Sequence, residues 1–336
     1  MINEWENHSV CLGTISNEWR FLGSYGKVIT GYEKLQSTVS KWHSLRPIMC
    51  SAPGSNVFRS AILFDEFRER LQRSAKRYHI IIMVYCLILS LASFTLWMTT
   101  NYFKFRIIFI STLLLTIFFY LDYRIVICNT AALQDRSKYL SWIYLRGGKY
   151  MLLCLLFMIA IGLTQVLLVK LLGGMEPLVY KYGAVYKYIW SGELWRILPG
   201  PYLHSGLRHW LINTTTLILI APILMIYSLR NSIIVFLVGN LLSTFIASTT
   251  YLYFGTHGDV FGGVSGGIFA IIGFIIGTSL KDKDAFPKYF WFYFLNFGVL
   301  SLILTWLMNP RTSNIAHIVG MLTGLIITYI PKLRLT

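Results

Sequence analysis

Two residues of this chain have the chemistry of a nucleophile and its base, provided the fold brings them together. Ser265 lies in the run Phe261-Gly-Gly-Val-Ser-Gly-Gly-Ile, and His317 in Asn314-Ile-Ala-His-Ile-Val-Gly. Both runs belong to apolar stretches, where hydrocarbon leaves a polar side chain unsatisfied unless protein or a wet cavity meets it. A third stretch holds His209 and Asn213, whose four-residue spacing puts them on one helix face. Acyl transfer to a serine requires a base for the hydroxyl proton and donors aimed at the developing oxyanion. His317 can be that base, and Asn213, His209 and the backbone N–H of Ser265 can form the oxyanion hole.

Eight apolar runs are available to position these groups, each near the roughly 20 residues that a spanning helix needs. They cover about 80–97, 105–121, 150–172, 207–227, 233–253, 261–280, 289–307 and 314–330. The second is the weakest, and Lys104, Arg106, Asp122 and Arg124 around it are also compatible with a re-entrant or interfacial hairpin. Arg and Lys at 68–77, 124–149, 230, 281–288 and 332–334 mark the cytoplasmic side by the positive-inside rule. Eight spans with both termini inside satisfy that distribution. Spans four, six and eight then run inward from the exterior and carry their polar residues in about the first two turns. At ~1.5 Å per residue this is roughly 5 to 10 Å below the outer surface. A Ser–His hydrogen bond at that level requires close helix approach, which small residues permit. Gly320 and Gly324 continue nearly the His317 face, and Gly263, Gly266, Gly267, Gly273 and Gly277 line span six. Spans six and eight should touch.

The composition agrees with a bilayer resident: 55% of the 336 residues are hydrophobic and 13% charged. The net charge of +16 sits between apolar runs beside anionic lipid, which argues against a nucleic-acid partner. Cys11, Cys50, Cys86, Cys128 and Cys154 are scattered and suggest neither a disulfide framework nor a metal cluster. Residues 1–10 contain Glu4 and Glu6 and no apolar stretch, so targeting is expected from the first span. Residues 1–56 show no clear periodicity. From 57 to 79, Phe58, Ile62, Leu63, Phe67 and Leu71 recur at helical spacing between Arg and Glu, which predicts an amphipathic helix, on the inner headgroups or, as the alternative, in a partner-binding or regulatory role.

The order and spacing of these motifs resemble the rhomboid family. Trp195-Arg196 in the first outer loop, His209-x-x-x-Asn213, Gly263-Val-Ser265-Gly266, and Ala316-His317 with Gly320 and Gly324 follow its pattern over roughly residues 148–331. The resemblance implies an all-α polytopic membrane protein with a six-helix core at 148–331. Ahead of it stand a cytoplasmic region at 1–79 and an extra transmembrane hairpin with its linker at 80–147. It also implies an intramembrane serine endopeptidase with a Ser–His dyad, no acidic third member and no cofactor, consistent with the lack of Asp or Glu in spans four, six and eight. Implied as well are an outer loop around Trp195 and Arg196 lying partly in the outer leaflet, span seven as a lateral gate, and a cap at 308–315. Phe269 departs from the family, which often has Tyr four residues after the serine. It can stack on the imidazole but cannot hydrogen-bond. The stretch Leu198-Pro-Gly-Pro201 is richer in proline than usual.

His204, His209, His257 and His317 are of a type that ligates zinc, but no H-E-x-x-H and no carboxylate accompanies them in the spans, so no metal is expected. His204 is assigned to buttressing the outer loop, and His257, beside Asp259, to solvent. A transporter would show midplane charges or inverted repeats. A non-cleaving rhomboid-like escort usually lacks the serine or histidine, and this chain keeps both. The expected partners are single-span membrane protein substrates and the lipid bilayer, in a bacterial-type plasma membrane with the site facing the exterior.

Overall fold

A computed structural model of the protein describes residues 4–23, 27–44, 46–254, 259–308 and 314–333. The chain forms two compact units, one of residues 1–145 with 283–289 and the other of 146–282 with 290–336. It is an integral multi-pass membrane protein, mostly helical, with six helices long and apolar enough to cross a bilayer and two shorter apolar ones.

The first unit opens with strands β1 (Val10–Ser16), β2 (Arg20–Leu22) and β3 (Val28–Thr30), helix α1 (Tyr32–Ser40), and strands β4 (Met49–Ser51) and β5 (Ser55–Ser60). They form an antiparallel sheet in the order β1-β5-β4-β2-β3. Helix α2 (Asp65–Thr100) follows, then α3 (Phe103–Asp122) and α4 (Thr130–Arg146). The amphipathic helix expected over 57–79 is corrected here. Residues 57–60 belong to β5, and 65–79 are the first turns of a single 36-residue helix that continues into the first span. Its apolar stripe faces protein rather than headgroups. Phe67 and Leu71 are buried with Phe21, Leu35, Val39 and Trp42 in one core, because the sheet and α1 supply an apolar face at lower cost than an interface. The weak second run is a continuous apolar helix over Phe103–Ile127, its last turn a π-helical segment, so the re-entrant alternative does not apply.

Charge is buried at the base of this hairpin. Asp122 accepts from both terminal nitrogens of Arg136, at 3.1 and 3.2 Å, and lies 2.8 Å from His79 Nε2, while His79 Nδ1 meets the Ala75 carbonyl at 2.9 Å. The three side chains are almost fully buried, which is tolerable only because each charge is paired and hydrogen-bonded. Within the same unit, Trp5 donates its indole N–H to the Asp284 carbonyl at 3.3 Å, and Phe286 packs edge-on against Tyr139.

The second unit contains α5 (Gly148–Leu172), α6 (Met175–Tyr182), β6 (Ala184–Val185), α7 (Tyr186–Trp190), α8 (Leu207–Met225), α9 (Leu229–Phe254), β7 (Val260–Phe261), α10 (Ser265–Lys281), α11 (Phe290–Met308) and α12 (Asn314–Ile327). Helix α10 is the centre, packed by α8, α9, α11 and α12, and every residue from Ser265 to Thr278 is buried. Its glycines set the spacing. A Cβ at Gly273 would run into the Met321 carbonyl, and one at Gly324 into the Ala270 carbonyl, so α10 and α12 meet backbone to backbone.

Candidate active site

Three helix beginnings converge. Ser265 is the first residue of α10, His209 and Asn213 occupy the first two turns of α8, and His317 the first turn of α12. Ser265 Oγ lies 2.9 Å from His317 Nε2, within hydrogen-bond reach, and both residues are buried, 8% and 5% exposed. The phenyl ring of Phe269, one turn below Ser265, stacks on the imidazole with centroids 4.5 Å apart and planes 9° from parallel. His317 Nδ1 has no hydrogen-bond partner among the described residues, and neither does the side-chain nitrogen of Asn213. Both atoms are thus left uncommitted.

The turn that delivers Ser265 depends on Gly263. Its φ of +97° is a conformation L side chains rarely adopt, and a Cβ there would strike the His209 ring and lie 3.0 Å from Asn213 Nδ2. His209 and Asn213 therefore flank the Gly263–Ser265 turn directly. Gly266 allows contact with α9, since a Cβ would meet Ser243, and Gly320 allows contact with α10, since a Cβ would run into the Gly266 carbonyl oxygen.

The loop between α5 and α8 is tied to the same turn. Strand β6 pairs with β7, Ala184 opposite Phe261, two residues before Gly263. Arg196 is buried at 5% exposure. It donates from Nε to Glu193 at 2.9 Å and from Nη1 to the Gly183 carbonyl at 3.1 Å, and its guanidinium lies over the rings of Tyr188 and Trp195. Trp195 itself is 45% exposed. At the loop's end the backbone of His204 is clamped by Gln165, whose amide donates to the His204 carbonyl at 2.7 Å and accepts its N–H at 2.8 Å. Burial, and then the neighbouring His209, pushes the His204 imidazole down to about 4, so it is neutral at physiological pH.

Residues 191–333 match the family model described as the Rhomboid domain. The chain carries a rhomboid domain. No curated protein matches the chain. The matched region takes in the second part of the loop between α5 and α8 and helices α8 to α12, and so contains Trp195, Arg196, His204, His209, Asn213, Gly263, Ser265, Gly266, Phe269, His317, Gly320 and Gly324. Helix α5 lies ahead of the match.

Two residues that the sequence reading passed over hold the site in place. Gln165 makes the His204 clamp, and Asn240 of α9 accepts the backbone N–H of Gly267 at 2.9 Å. Both are uncharged amides inside apolar runs, the same signal that singled out Asn213. Among the described residues no group of three His, Cys, Asp or Glu side chains is arranged to hold a metal ion. His257 lies outside the described residues, as does most of the expected cap.

Proposed function

We propose that this protein is a serine endopeptidase that hydrolyses peptide bonds in or near the transmembrane segments of single-span membrane proteins, using Ser265 and His317. The carrying observation is the 2.9 Å approach of Ser265 Oγ to His317 Nε2. His317 Nε2 takes the hydroxyl proton as Oγ bonds to the scissile carbonyl carbon. The oxyanion receives hydrogen bonds from Asn213 Nδ2, His209 and the Ser265 N–H, at the positive end of the α10 dipole. His317 returns its proton to the leaving amine, and the C–N bond breaks to leave an acyl-serine. Water, deprotonated by the same nitrogen, then attacks the ester, and the proton passes back to Oγ as the acid departs.

No carboxylate orients the imidazole in this reading. The Phe269 ring at 4.5 Å does so by stacking. The site faces the exterior leaflet with both termini cytoplasmic, on the distribution of Lys and Arg. Substrate enters past the bulky α11, rich in Phe, Trp and Tyr between 290 and 294.

A fluorophosphonate probe and a tagged single-span substrate test this together. Wild type is labelled and cleaves, while Ser265→Ala and His317→Ala lose cleavage by several orders of magnitude, since such groups act as a unit. Undiminished turnover in Ser265→Ala overturns the mechanism. A wild type that neither labels nor cleaves identifies instead a binding protein built on the same scaffold.

A further inference from the structure

The first turn of α10 poses a conflict that its own sequence does not resolve. The N–H groups of Ser265, Gly266 and Gly267 precede the helical ladder, which begins with Ile268 N–H on the Val264 carbonyl at 3.2 Å. Such groups are usually met by the side chain of the preceding capping residue. Here that residue is Val264, which offers no acceptor. A polar side chain at 264 would fold over the same turn that must leave the Ser265 N–H open to a substrate oxygen.

The acceptor comes from another helix. Asn240, 2% exposed in the middle of α9, accepts the Gly267 N–H through Oδ1 at 2.9 Å. The approach depends on glycine at both helices. A Cβ at Gly267 would overlap the Asn240 amide and lie 2.6 Å from the Phe236 carbonyl, and one at Gly239 would overlap Ala270. The cap is therefore built by α9 and α10 jointly, two residues beyond the nucleophile.

We infer that Asn240 is a positioning residue for Ser265: it caps the third residue of α10 from α9, fixes the 264–267 turn, and leaves the Ser265 N–H uncommitted. The inference rests on the Ser–His reading above. It requires that loss of the acceptor act on turnover more than on substrate binding, because Asn240 touches neither substrate nor the dyad.

The test uses the full chain in proteoliposomes and compares Asn240→Leu, which matches the volume without an acceptor, with Asn240→Asp, which restores an acceptor oxygen at a helix N-terminus. Asn240→Leu is expected to lower kcat by about 10- to 100-fold with KM nearly unchanged, as for a misplaced reacting group, and to slow fluorophosphonate labelling in step. Asn240→Asp recovers most of both, and Gly267 amide exchange is faster in the Leu variant alone. If Asn240→Leu does not fold, Asn240→Ala carries the same expectation. A Leu variant with wild-type kcat, or an Asp variant as impaired as Leu, overturns the positioning role. Wild type no more reactive than Ser265→Ala defeats the Ser–His reading and the positioning role with it. Gly267 exchange still reports on the cap in that case, and unchanged exchange in Asn240→Leu refutes the cap by itself.

Discussion

Gly320→Ala isolates the contact that sets the distance between the two reacting groups. The added Cβ would lie 3.1 Å from the Gly266 carbonyl carbon and 3.2 Å from Ser243 Oγ, and would overlap the Gly266 carbonyl oxygen. Ordinary carbon contacts begin at about 3.5 Å, so α12 must retreat from α10 by roughly 1 Å. Neither helix can absorb this through a side chain, because the obstacle is backbone. Gly266 follows Ser265, and Gly320 is three residues after His317 on the same helix. A retreat of that size takes the 2.9 Å Oγ–Nε2 separation beyond hydrogen-bond reach. The expected outcome is a fall of about 10² or more in kcat, with an overpacking penalty of about 1–3 kcal/mol in stability. Turnover and fluorophosphonate labelling, each normalised to folded protein, are read against Gly148→Ala, where an added Cβ meets nothing within 4 Å. A folded Gly320→Ala protein with wild-type kcat would refute the claim that backbone contact at this level holds the dyad together.

Asn213→Ala should lose about 10²–10³ in kcat if its amide serves the oxyanion, and a loss confined to KM would count against that role. Asp122→Ala leaves Arg136 without the carboxylate that takes both its terminal nitrogens. It should destabilise the hairpin unit by about 3–5 kcal/mol, read as a lowered unfolding midpoint, and a shift equivalent to an exposed ion pair would show the cluster to be energetically idle. His204 is held near 4 in the fold against 6.5 when unfolded, so the unfolded state binds the proton first. Its contribution to stability is complete above about pH 6.5 and is lost as pH falls toward 4. Thermal midpoints should therefore drop over that window in wild type and drop less in His204→Gln, and parallel curves would contradict the assignment.

The helical core was legible because its signals are redundant. A serine, two histidines and an asparagine stand in runs otherwise apolar, and glycines recur where α10 and α12 approach. The N-terminal sheet was not legible, for a geometric reason. Strands of three residues such as Arg20–Leu22 and Val28–Thr30 are too short to display a period of two. The spacing of Phe58 and Ile62 misled because residues four apart share a face in a strand as well as in a helix. Phe58 lies in β5, whereas Phe67 and Leu71 lie in α2, and all three are buried. A single apolar stripe was thus assembled from two kinds of element.

Gln165 and Asn213 show a limit of another kind, since they look alike in sequence: each is one amide within an apolar helix. What separates them is whether their hydrogen-bonding atoms are committed. Gln165 uses both ends of its amide on the His204 backbone, and Arg196 likewise uses its guanidinium on Glu193 and Gly183. Asn213 Nδ2 and His317 Nδ1 have no partner among the described residues. An orphaned buried donor carries a free-energy penalty of about 1–3 kcal/mol. On the proposed reading Gln165 belongs to the frame, and the uncommitted nitrogen of Asn213 to the step in which a substrate carbonyl arrives. Sequence identifies the polar residue in the apolar run, but only the coordinates show which of its atoms are committed: Asn240 uses Oδ1 on Gly267 while its Nδ2, like that of Asn213, has no partner among the described residues.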